Sequence, residues 1–128
     1  MPILIFSFQA LSLIYPLVGL FFYFEEQWLG TLLGFEASPP GLWLSLTVSM
    51  MFMLGYCAWQ TARVIKKNIQ DKTWFVLHLI SKGTSVLFFI LSFVSAPHLF
   101  YGIGACVDGA IFILVLLSMT YYFRGTKS

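Results

Sequence analysis

Charge is what this sequence has least of: 9% of its 128 residues are Asp, Glu, Lys or Arg, against about 25% in an ordinary soluble domain. A chain of this size has much surface for its volume and needs polar groups to cover it in water. Five acids and seven bases cannot do so. With 59% hydrophobic and 19% aromatic residues and a mean hydropathy of +0.89, the shortage excludes a soluble globular enzyme, a disordered tail and a nucleic-acid binder. An integral membrane protein remains.

The residues that carry chemistry are equally scarce. Cys57 and Cys106 form no C-x-x-C pair and fall at different depths, so no disulfide is expected, and a quinone-linked disulfide enzyme is excluded. His78 and His98 belong to different levels of the chain, which excludes a paired-histidine haem or metal site. No nucleophile with a base, no carboxylate pair and no ligand cluster is visible. The sequence is therefore expected to encode no enzyme and to bind no metal or cofactor. A small four-helix multidrug exporter would place a Glu in the middle of the first span, and that span has none.

Long apolar runs are what the sequence has instead. A hydrocarbon core of about 30 Å takes about 20 helical residues per crossing. Stretches of that length occur at about 3–24, 42–64, 73–95 and 100–123. The fold class is all-α, a four-helix membrane bundle forming one transmembrane domain over 1–128. Pro16 should kink the first helix, and Pro39-Pro40-Gly41 can open the second but not continue one from upstream. A spanning barrel would need roughly ten-residue alternating segments, eight or more of them, and they are absent. The first run lacks a basic n-region and a small-residue cleavage site, so it is expected to stay as a span.

Sidedness follows from the basic residues, which favour the cytoplasmic side. Arg63, Lys66, Lys67 and Lys72 surround the loop after helix 2, and Arg124 and Lys127 follow helix 4. The loops on the other side hold Glu25, Glu26 and Glu36 but no Lys or Arg. Both termini are expected in the cytoplasm, with a bacterial inner membrane as the location. Trp28, Leu32 and Phe35 share one helical face between the acids, which suggests a short interfacial helix between helices 1 and 2; the alternative is an outward extension of helix 1. The outer acids could hold a cation, although they lack the rhythm of a calcium loop. Trp74, Tyr121 and Tyr122 are expected to form an aromatic belt at the inner interface.

Away from their ends, the spans hold one base and one acid. Lys82 falls about 14 Å into helix 3 at 1.5 Å per residue, and Asp108 sits at a comparable level of helix 4. A central Lys costs about 2.5–3.5 kcal/mol on insertion scales, so a Lys82–Asp108 contact between neighbouring helices 3 and 4 is expected to offset it. His78, Lys82 and Ser85 share one face, with Ser81 at its margin. Two readings stay open. The pair is a device that fixes helix register, or it lines a polar path for an ion, a proton or an anionic headgroup. Ala58-x-x-x-Ala62 and Ala105-x-x-x-Gly109 are small-residue patterns suited to close helix packing, inside the chain or against another subunit.

The expected function is accordingly non-enzymatic: helix association in the membrane, as a homo-oligomer or an accessory subunit of a membrane complex, in contact with lipid and without nucleic acid. The alternative is a small transporter, channel or lipid-binding protein that uses Lys82, Asp108, His78 and Ser85.

Overall fold

In the computed structural model the described residues are 2–24, 41–95, 97 and 99–124. Among them the chain is all-helical: α1 (Pro2–Phe24), α2 (Gly41–Lys66), α3 (Thr73–Ser95) and α4 (Leu99–Arg124). Three stretches are long and apolar enough to cross a membrane, namely α1, α3 and Tyr101–Arg124 within α4. Glu25, Glu26, Glu36, His98, Lys127 and the expected interfacial helix around Trp28 lie outside the described residues.

The helices pack as two antiparallel hairpins, α1 with α2 and α3 with α4, while α2 and α3 touch much less. Large side chains such as Ile3, Leu13, Met53, Ile80, Val94 and Leu117 stand exposed on all four helices. Such coverage by apolar groups suits a solvent of lipid tails. The core gathers toward the end that carries the α2–α3 turn, where Phe8, Ala58, Ala62, Phe75, Val115 and Tyr122 are buried together. Phe8 meets Phe75 edge to face, and Phe75 stacks on Tyr122.

Close approach within each hairpin depends on glycine. A Cβ added at Gly19 would lie 2.9 Å from Met51 Cβ, and one at Gly55 would lie 2.9 Å from both the Pro16 ring and the Ser12 carbonyl oxygen. That carbonyl is the one Pro16, lacking an N–H, cannot bond at the i−4 position. α1 continues through Pro16 all the same, with the α2 backbone seated against the freed oxygen. In the second hairpin Gly104 receives the Phe89 ring, 2.7 Å from a notional Cβ, and Gly83 receives Phe112 at 3.1 Å. The pattern expected at Ala105 and Gly109 is not where the helices come closest. Gly109 meets only Val86, at an ordinary 3.9 Å, because the face of α4 that receives an aromatic ring is centred one residue before Ala105. Ala58 and Ala62 are both buried inside the chain.

The α2–α3 turn explains a second correction. Ile69 N–H donates to the Val64 carbonyl and Asn68 N–H to the Ile65 carbonyl, with Asn68 at a φ of 53°. This is the Schellman arrangement, in which a left-handed residue lets two later amides close the helix end. Tyr122 then donates to the Ile69 carbonyl at 2.8 Å and reaches the Val64 carbonyl at 3.3 Å. Tyr122 is thus a buried brace between α4 and the turn, not part of an aromatic belt, because its hydroxyl is needed by carbonyls that the helix end leaves available. Tyr121 is exposed, and Trp74 is half-buried with its ring against Tyr56. Lys72 lies over the Phe123 ring at 5.0 Å.

Candidate functional site

The polar stripe of α3 faces inward. His78 and Lys82, one turn apart, are both buried, and Ser85 lies three residues further along the same face. α3 is a span with no acid of its own, so its cation must find a partner on another helix. Lys82 Nζ donates to Asp108 Oδ1 of α4 at 2.9 Å, with the two side chains 4% and 14% exposed. Ser85 Oγ donates to the other carboxylate oxygen, Oδ2. Both oxygens of Asp108 are therefore engaged from α3, and the charges cancel within one hairpin.

α1 supplies the residue that reading the sequence overlooked. Tyr15 is buried, its ring lies under Lys82 Nζ at 4.7 Å, and its hydroxyl pairs with His78 Nε2 at 2.6 Å. The quadrupole of an aromatic face attracts a cation most where water is excluded. One tyrosine thus touches the base, bonds the imidazole and joins the two hairpins. A signal existed: Tyr is enriched at membrane interfaces, yet Tyr15 sits mid-span in a helix without charge, where its hydroxyl needs a partner.

The hydrogen bonds fall into two groups, Ser85–Asp108–Lys82 and Tyr15–His78. They are joined by the contact between the ammonium and the face of the Tyr15 ring, not by a hydrogen bond. His78 Nδ1 is buried without a hydrogen-bond partner, on a ring packed edge-on against Phe8 and Tyr15. All four residues assigned to the intramembrane cluster, Lys82, Asp108, His78 and Ser85, come together, with Tyr15 as a fifth. Ser81 faces away from them, into a groove of about 530 Å³ between α2 and α3, with Met50, Met53, Cys57, Trp74 and Leu77 among its walls. Cys57 donates through Sγ to the Trp74 carbonyl at 3.3 Å. Both cysteines are free thiols. Among the described residues no group of three His, Cys, Asp or Glu side chains is placed to hold a metal ion.

These two features, a buried cluster with an ion pair, set between two helical hairpins, and an apolar groove beside it, define a helical protein of apolar exterior. Comparison with protein-family models, curated proteins and solved structures gives no match.

Proposed function

We propose that this chain is a four-crossing integral membrane protein with both termini in the cytoplasm, acting without catalysis through helix association, as a homo-oligomer or as an accessory subunit of a larger membrane assembly. The fourth crossing is α2. It lies along α1 with Met51 against Gly19 and Gly55 against Pro16, so it shares the depth of a helix that is apolar enough to span. Sidedness rests on the basic residues of the α2–α3 turn and the end of α4.

The observation that carries the reading is the groove between α2 and α3. It is apolar, its methionines adapt to the shape of an occupant, and Ser81 on its wall makes no hydrogen bond among the described residues, unlike Thr61 and Thr84, which bond the carbonyl four residues back. Serine hydroxyls hydrogen-bond across transmembrane helix interfaces, and a groove of this kind receives a helix. The ion pair, by contrast, is closed on itself, as a register device would be.

The test is cross-linking in the native membrane. In a Cys57→Ser, Cys106→Ser background, Met53→Cys should be captured with a second copy or a second membrane subunit, while Leu117→Cys, exposed on α4, should not. A strictly monomeric protein in mild detergent, with no co-purifying subunit and no cross-link through position 53, overturns the proposal.

A second reading is favoured by one observation, the unpartnered Nδ1 of His78. On this reading the cluster serves a small transporter, a channel or a lipid-binding protein. Reconstituted vesicles decide it: flux and ligand binding left unchanged by Lys82→Met and Asp108→Asn remove it, and a pH-dependent flux lost in His78→Ala establishes it.

A further inference from the structure

The basic end of the molecule holds a second polar site that shares no residue with the buried cluster. Between α1 and α2 a cavity of about 350 Å³ is lined by Gln9, Trp59, Ala62, Arg63, Lys66 and Lys67. Trp59, Ala62, Arg63 and Lys66 follow at i, i+3, i+4 and i+7 and so share one face of α2. Ala62 is buried and small, which leaves room beneath the charges.

A bias of basic residues toward one side of the membrane accounts for cations here, but not for the way they are arranged. None of the three is in an ion pair among the described residues. The acids described are Asp71, whose Oδ1 accepts from Thr73 N–H, and Asp108, held by Lys82 and Ser85. Nor do the three cations serve as caps for α2. The Arg63, Val64 and Ile65 carbonyls already accept from Lys67, Ile69 and Asn68 N–H. Gln9 adds an independent sign. It projects from α1 into the same cavity, its carboxamide makes no hydrogen bond among the described residues, and the α1–α2 register places it about level with Ala62, inside the span. An unbonded amide at that depth is costly, so a ligand that brings hydrogen-bonding groups below the headgroup level fits it.

Depth sorts the lining into the profile of one kind of molecule. Trp59 stands seven residues before Lys66 on α2, about 10 Å deeper, and the register set by Gly19 on Met51 and Gly55 on Pro16 places Gln9 between Trp59 and the cations. The cations form the shallow rim, while the amide and a half-exposed indole form the deeper wall. We propose that this cavity binds the headgroup of an anionic glycerophospholipid. Arg63, Lys66 and Lys67 take the phosphodiester, the Gln9 amide donates to the glycerol ester oxygens, and an acyl chain runs along Trp59. The shared chemistry is a phosphate anion; the deep amide and indole select the lipid over free phosphate.

Native mass spectrometry of the full chain tests this, with phosphatidylglycerol and phosphatidylcholine of matched acyl chains supplied in equal amounts. Wild type should retain phosphatidylglycerol, the anionic one of the two, in clear preference. Arg63→Gln and Lys66→Gln should each lower that preference roughly fivefold. Lys72→Gln, which removes one charge at the same end but outside the cavity, should leave it unchanged. Gln9→Leu keeps every charge and makes α1 more apolar, so it keeps the test available if the charge variants fold poorly; it should weaken retention roughly two- to tenfold. Adding inorganic phosphate or glycerol phosphate at millimolar concentration should neither give an adduct nor displace the lipid. Equal retention of the two lipids by wild type, a Lys72→Gln effect as large as that of Arg63→Gln, no effect of Gln9→Leu, or displacement by free phosphate each overturns the proposal.

Discussion

The two hairpins of this molecule solve the same problem by opposite means. Lipid tails offer no apolar driving force between helices, so adhesion must come from close packing or from polar contacts. α1 and α2 use shape: Gly19 takes Met51, and Gly55 sits on the Pro16 ring and the Ser12 carbonyl. α3 and α4 add charge to shape, with Lys82 and Ser85 on Asp108 while the Phe89 and Phe112 rings fill the places left by Gly104 and Gly83. A steric seam weakens by degrees when it is altered. An ion pair in a low-dielectric interior fails abruptly when one partner is lost, because the other charge is then stranded.

That contrast is sharpest at Lys82. Lys82→Met leaves Asp108 without its cation and should cost about 3–5 kcal/mol, read as the change in reversible unfolding in bicelles. Lys82→Met combined with Asp108→Leu removes both charges and should recover most of the loss. A double variant as unstable as the single one would show that the hairpin does not owe its sensitivity to a stranded charge. In the first hairpin, Gly55→Ala puts a methyl group within 2.9 Å of backbone and proline ring atoms, which cannot swing aside as a flexible side chain would. It should cost about 1–3 kcal/mol in the same assay. Gly109→Ala, which meets only Val86 at 3.9 Å, should be close to neutral. Equal costs at the two glycines would break the comparison from the other side.

The same contrast explains what was legible beforehand. The spans within α1, α3 and α4 could be read because length and hydropathy decide them. Lys82 and Asp108 could be paired because each is alone of its sign away from the span ends, so arithmetic leaves no other partner. Tyr15 escaped because it carries no charge that demands a counterpart, and its role appears only when α1 is rotated against α3. The glycine seams escaped for a related reason. Small residues four apart mark a face of a helix, but whether a ring arrives at Gly104 or at Gly109 depends on the rotation and depth of the neighbour, which spacing does not encode. Tyr122 shows the limit of composition: an aromatic at a span's end is ordinarily an interface anchor, and only the three-dimensional turn reveals carbonyls waiting for its hydroxyl.

Tyr122 also supplies a smaller test, at the point where the hairpins are joined. Tyr122→Phe keeps the ring stacked on Phe75 and deletes the hydroxyl that reaches the Ile69 and Val64 carbonyls. A single hydrogen bond to uncharged partners contributes about 0.5–1.5 kcal/mol net. The loss should be of that size, with faster amide hydrogen exchange confined to residues 66–70 and none at Lys82. Exchange that rises equally in both hairpins would mean that the brace holds the whole molecule and not the turn alone.

The smallest effect is expected at the other end of that turn, where the chain enters α3. Asp71 accepts a hydrogen bond from Thr73 N–H at 2.9 Å, an arrangement that satisfies an orphan amide of the first helical turn and places negative charge near the positive end of the helix dipole. The hydrogen bonds from Thr73 hold the carboxyl below its ordinary range. A group whose pKa is lower folded than unfolded stabilises the fold above its unfolded value, and this contribution fades as the pH falls through the folded value. Wild type should therefore be more stable than Asp71→Ala at neutral pH, with the difference shrinking as the pH is taken down through the carboxylate range. Asp71→Asn, which can still accept the hydrogen bond but does not titrate there, should show no such trend against Asp71→Ala. Because the side chain lies at the open surface of the turn and is only partly covered, the gap at neutral pH should be the narrowest of the series, and raising the salt concentration should narrow it further. A gap that widens in acid would mean that the carboxylate opposes the start of α3 instead of supporting it.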